Sequence, residues 1–194
     1  MVSAARESLT ASPLPRVECK QLDSQDLSSI PDNYFTHSIM NFSIFTFVRP
    51  ADAVRETYRT LRPGGLAVFT CWRRFAPVRI VHSAQEKIHP GRSLPMPMPN
   101  PQFLEEEVLQ KVVEEGGFAE DNIKVIDKTL LIKDDENIAG LTTFMSGPMM
   151  AKAREGYTEA EELRWATEVK TSVTEEIKEY GGIKFEAYIL LATK

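Results

Sequence analysis

Few residues of this 194-residue chain have a type and spacing that could carry chemistry. Its three histidines, His37, His82 and His89, have no cysteine or carboxylate neighbours at metal-ligand spacing, so no metal site is expected. No Gly-x-Ser-x-Gly sequence is present to build a nucleophile elbow. The two cysteines, Cys19 and Cys71, fall in apparent strands and read as small buried hydrophobes. Two stretches remain: the acidic Asp23-Ser24-Gln25-Asp26-Leu27 and the aromatic Asn41-Phe42-Ser43-Ile44-Phe45. Asp23 and Asp26 suit the cap of a short helical turn, and Phe42, Phe45 and Phe47 suit a core. Residues 41–45 also follow an apparent strand, and carboxyl ends of parallel strands are where α/β sheets bind ligands. Chemistry there would rest on holding reactants in line, with little acid–base help.

The elements that must position these residues are legible from pattern. The spacing predicts a helix from about residue 51, with Arg59 and Arg62 in a last turn where positive charge suits the dipole. Pro63 should stop it, and Gly64-Gly65 should supply the reversal at its C-terminus. Residues 66–71 are almost wholly apolar, as expected of a central strand buried on both faces. Further strands are expected at 17–22, 38–42, 122–133 and 182–192, and helices at 1–9, 77–88, 102–115 and 135–150. Thr158-Glu159-Ala160-Glu161 has capping-box spacing, so a longer helix should start there and end at Gly181-Gly182. Prolines at alternating positions over 95–101 forbid helix and central strand. With Met96 and Met98 they suit a pocket lid, a partner surface or a packed loop.

The order of these segments resembles the class I S-adenosylmethionine-dependent methyltransferases, particularly those acting on small molecules. The resemblance is carried by Asp23-Ser24-Gln25-Asp26-Leu27, by residues 34–42, by Arg59-Thr60-Leu61-Arg62-Pro63-Gly64-Gly65 and by the last strand. Thr36 departs from the pattern, since many relatives have Asp after this Phe. The resemblance implies an α/β fold: a partial Rossmann-like methyltransferase sheet, parallel strands plus a C-terminal antiparallel pair, flanked by helices. It implies one truncated domain over 1–194 with helical insertions at about 134–180, the family's first strand and glycine-rich loop falling before Met1. The cofactor would be S-adenosylmethionine, with Asp23 and Ser24 toward adenine and Asn41, Phe42 and Ser43 beside the methyl centre. Ile44, Trp72, Phe144 and Met145 would line the substrate pocket, with Leu141 and Trp165 as further candidates, although all of these also suit a core.

The family sheet runs 3-2-1-4-5-7-6, so without strands 1 and 2 the fourth strand should show an open edge. A homodimer or a partner chain covering that edge is the expected remedy. A glycine-rich loop must follow a strand and open a helix, whereas all three Gly-Gly pairs follow apparent helices. The expected activity is methyl transfer to a small, apolar molecule, of the kind met in secondary metabolism, with weak or no cofactor binding by this chain alone. The alternatives are a non-methylating protein that binds or cyclises a hydrophobic molecule, and a noncatalytic interaction subunit. The formal charge of −5 argues against nucleic acid as the main partner. No apolar run reaches membrane-spanning length and no secretory signal is visible, which points to the cytoplasm.

Overall fold

The computed structural model describes residues 2–11, 17–91 and 99–194. Much of the Pro/Met-rich stretch, residues 92–98, lies outside the described residues, as do residues 12–16. The elements are α1 (Val2–Ala11), β1 (Phe35–Asn41), α2 (Pro50–Thr60), β2 (Leu61–Arg74), α3 (Ala76–Ile88), α4 (Glu106–Glu115), β3 (Ile123–Ile132), α5 (Asp135–Ser146), α6 (Glu159–Tyr180) and β4 (Ile183–Thr193). They form one four-stranded sheet in the order β1-β2-β4-β3. The β1/β2 pair is parallel and β4 runs antiparallel to both its neighbours. This is the 4-5-7-6 portion of the expected sheet, with helices on its flanks.

Residues 17–22 are not a strand. Beyond them stands only an isolated bridge between Asp23 and Asp26. Their alternating pattern is real, but a strand needs a neighbour for its backbone groups, and no described strand offers one. The segment that follows docks on α2 instead. Arg59 donates to the Leu27 and Ile30 carbonyls, at 2.8 and 2.9 Å, and to both oxygens of Glu56. Glu56 in turn accepts from the Leu27 N–H at 2.7 Å. Cys19 accordingly lies in an irregular segment, half-buried, while Cys71 is buried in β2.

A second correction concerns Gly64-Gly65. The helix ends at Thr60 with an extended Leu61 as its C-cap, so the glycines do not cap it. They lie inside the first stretch of β2, where five residues, 61–65, stand opposite two of β1 before register resumes at His37↔Leu66. Gly64 has φ +75°, the left-handed region, and a Cβ on Gly65 would meet the Arg62 carbonyl at 2.8 Å. The bulge is tied to the chain end by Gly64 N–H to the Lys194 carbonyl and Lys194 N–H to the Gly65 carbonyl. Two smaller shifts occur: Pro101–Leu104 and Pro148–Arg154 are 3₁₀ turns, detached from α4 and α5.

Residues 66–71 form a central strand, but only one of its faces is sealed. Ala67, Phe69 and Cys71 are fully buried in a cluster with Val54, Leu109, Tyr188 and Leu190, beneath α2 and α4. Their alternates Leu66, Val68 and Trp72 are only half-buried. A second cluster joins α3, α5 and α6 around Trp165, Met145, Ile80 and the start of β4. Thr158 caps α6 with both halves of the capping box in place. Arg74 of β2 and Glu176 of α6 form a bidentate pair, 2.8 Å for each bond and almost fully buried, which locks α6 to the sheet.

Candidate functional site

At the carboxyl end of β1 the chain turns sharply. Phe42 has φ +46°, a left-handed conformation that costs an aromatic residue strain and that clusters at functional sites. Thr70, at the matching position of β2, holds this turn. Its hydroxyl accepts from the Phe42 N–H at 2.8 Å and donates to Asn41 Oδ1 at 3.0 Å. The strained backbone aims the Phe42 ring onto Trp72, with centroids 3.9 Å apart and planes within 16°. Trp72 also stacks on Phe75 at 5.2 Å and meets Phe185 at 5.5 Å. The carboxyl ends of β1 and β2 and the start of β4 thus gather one aromatic cluster, in which Trp72 stacks with both Phe42 and Phe75.

A cavity of about 300 Å³ opens beside this cluster. Its further walls are Leu130 of β3 and Ala187 and Ile189 of β4, and its polar groups are Asn41, Thr70, Thr129 and Lys128. The register explains the grouping: Thr70↔Ile189, Trp72↔Ala187, Lys128↔Ala187 and Leu130↔Phe185 put these residues on the same, open side of the sheet. The volume is at the small end of the range for ligand sites, and the lining is mainly apolar with few polar groups. Among the described residues, Lys128 is the only ionisable residue of the lining. Such a site orients a molecule; it holds no acid–base pair.

The expected site residues divide. Asn41, Phe42 and Trp72 come together in this cavity. Ser43 is half-buried in the same turn. Ile44 is fully enclosed under α2, and Met145 is fully enclosed in the other cluster, where its carbonyl accepts from Trp165 Nε1 at 3.1 Å. Leu141 packs at the margin of that cluster, and Phe144 is exposed. Asp23 is exposed, its carboxylate accepting from the Gln25 N–H at 2.9 Å in a local turn, with Ser24 half-buried beside it. Sequence reasoning missed Thr70, Lys128, Leu130 and Phe185; the alternation of the last two strands was the available signal.

Other reactive groups are occupied. Burial pushes the Cys71 thiol up, and burial followed by the neighbouring Cys71 pushes the Tyr188 phenol up. Both bond the Phe103 carbonyl. Neither is poised as a nucleophile or base near neutral pH. Among the described residues no three His, Cys, Asp or Glu side chains gather as a metal site. No helix among them is long and apolar enough to cross a membrane.

The described residues also do not complete a cradle for S-adenosylmethionine. No described passage from a strand into a helix contains glycine: the links are residues 42–43, 75 and 133–134. Gly116-Gly117 and Gly181-Gly182 both follow helices, and Gly64-Gly65 lies within β2. The backbone cannot therefore approach the charged end of that molecule as closely as a glycine turn allows.

Comparison with known proteins places this geometry. The methyltransferase domain family matches residues 1–69. The solved YcgJ protein of Bacillus subtilis superposes with a TM-score of 0.57 at 17% identity, over 100% of this chain and 78% of that one. The [4+2]-cyclase SpnF superposes at 0.53 and 20% identity, over 100% and 62%. Phosphoethanolamine N-methyltransferase 2 of Haemonchus contortus, solved with phosphomonomethylethanolamine and S-adenosylhomocysteine, superposes at 0.51 and 14% identity, over 100% and 41%. The chain thus spans between 41% and 78% of the length of these three structures. The match to the methyltransferase domain family covers the first 69 residues, about a third of the chain, and the sheet and helices carry the fold of solved methyltransferases.

Proposed function

We propose that this chain supplies the acceptor side of an S-adenosylmethionine-dependent methyl transfer to a small apolar molecule. The observation that carries the reading is the cavity beside the stacked Phe42–Trp72 pair, at the strand ends where α/β sheets bind ligands. The chain's own residues would hold the acceptor against the stacked Phe42–Trp72 pair and keep water from its apolar face. Asn41 Oδ1 is engaged by Thr70, and its Nδ2 has no hydrogen-bond partner among the described residues, so it is available to a polar group of the acceptor. S-adenosylmethionine would supply the methyl group; no step is assigned to it here, because the described residues do not cradle it.

That mismatch sets the test. A net hydrogen bond contributes about 0.5–1.5 kcal/mol, and each 1.4 kcal/mol lost weakens binding tenfold. Losing about three cofactor contacts should weaken a micromolar ligand roughly a thousandfold. Calorimetry of the purified chain with S-adenosylmethionine and S-adenosylhomocysteine should therefore show millimolar binding or none, and Asp23→Ala should change little. Micromolar binding that Asp23→Ala abolishes would show that residues 23–43 suffice for the cofactor.

A second reading is favoured by the absence of an acid–base pair from the cavity lining together with the likeness to a [4+2]-cyclase. In it the cavity folds a hydrophobic molecule for an intramolecular reaction without methyl transfer. Turnover of an apolar substrate with no dependence on S-adenosylmethionine would decide for it.

A further inference from the structure

Lys128 gives the cavity a polarity that its apolar walls do not explain. It lies on β3, paired in register with Ala187, on the open side of the sheet with Trp72 and Ile189. No ion pair or hydrogen bond to its ammonium is found among the described residues, although carboxylates are close in sequence and space. Asp127 and Glu186 line a neighbouring cavity that Lys128 also borders. Both are already engaged, Asp127 by Arg73 at 2.8 Å and Glu186 by Lys184 at 2.6 Å. Glu106 completes the Arg73 cluster. The aromatic cavity itself has no carboxylate in its lining. A cation at the rim of an apolar, ring-walled cavity, with the adjacent acids spoken for, matches a ligand of opposite charge and flat shape.

We propose that the cavity takes a planar apolar molecule bearing an anionic group, its ring against the stacked Phe42–Trp72 pair and its anion toward Lys128. This rests on the reading of the cavity as an acceptor site and adds to it the class of acceptor. The two halves of the recognition are separable. Contact with the aromatic pair is indifferent to the ligand's charge, whereas the Lys128 contribution depends on charge and is screened by salt. The ammonium is on an exposed strand position, so its share is modest.

Three naphthalene probes of one shape separate these contributions: 2-naphthoate, 2-naphthylmethanol and 2-naphthylmethylammonium, titrated into the purified chain by calorimetry and ligand-observed NMR at low salt. The carboxylate should bind about two- to fivefold tighter than the alcohol, and the ammonium weakest. Lys128→Gln should erase the preference while leaving alcohol binding unchanged, and raising the salt concentration should do the same. Trp72→Ala, checked for folding by circular dichroism, should weaken all three. Equal binding of all three probes, lost together in Trp72→Ala, would overturn the anionic ligand and leave the acceptor cavity standing. A charge preference that survives Lys128→Gln would also overturn it. No binding of any probe would overturn both the anionic ligand and the cavity reading beneath it.

Discussion

The two faces of the sheet are built from the same strands and behave as different materials. On the closed face Ala67, Phe69 and Cys71 of β2 and Tyr188, Leu190 and Ala192 of β4 are fully buried under α2 and α4. One residue along each strand, on the open face, Val68, Ile189 and Leu191 are half-buried, Leu130 is 57% exposed and Ile39 is 70% exposed. Both faces are apolar; among the described residues the open one is packed only toward the start of β4, where Ile183 and Phe185 join the second cluster. The closed face carries most of the packing, and the open face carries the aromatic cluster and the proposed ligand cavity at the strand ends. The structure thus separates, within one strand, residues that hold the fold from residues that can bind.

The largest effects should come from breaking the closed side. Phe69→Ala should destabilise by about 3–5 kcal/mol in urea unfolding, the cost of a cavity under a large aromatic. Val68→Ala, its immediate neighbour on the open face, should cost about 1 kcal/mol or less, because the methyls removed are already half in water. Equal losses would erase the distinction between the faces. Next comes the tie that holds α6 to β2. Glu176→Ala strands a buried guanidinium and should cost about 3 kcal/mol, while the double change Arg74→Met with Glu176→Leu should recover most of it. A double variant as unstable as the single would mean that the surrounding packing, and not the unpaired charge, sets the cost. Smallest should be Ile39→Lys at the open edge, within about 0.5 kcal/mol of the parent. By charging an unpaired strand edge it should also lower self-association in light scattering. A loss of several kcal/mol there would mean that Ile39 is packed in solution.

Much of this was legible in the sequence, and the failures share a cause. The capping box fixed the start of α6 because the signal is local and the chemistry self-contained: Thr158 and Glu161 satisfy each other's backbone groups. The sheet order followed from the resemblance to the methyltransferase sheet, whose 4-5-7-6 portion the four strands match. Residues 17–22 misled because a period of two reports a capacity to pair and says nothing about a neighbour. Gly64-Gly65 misled in the same way: a left-handed glycine marks a turn, and whether the turn belongs to the helix or to a bulged strand depends on the partner, here the chain end at Lys194. Residues 66–71 looked buried on both faces because closed-face and open-face residues have the same hydropathy. Asn41, Phe42 and Trp72, expected near one another because strand ends can be read from sequence, do line one cavity. Thr70, Lys128 and Leu130 were missed because they join the cavity only through cross-strand register.

The central claim is that the open face binds and the closed face does not. Methyl-labelled NMR mapping tests it most directly, with 2-naphthylmethanol titrated into the purified chain. Shift changes are expected at Thr70, Leu130 and Ile189, fading toward Leu191 and absent at Leu190 and Ala192 on the far side of the same strand. Changes centred on Leu190, Ala67 and Val54, or on Leu22 and Ile30 at the amino end of β1, with none at Leu130 and Ile189, would contradict it.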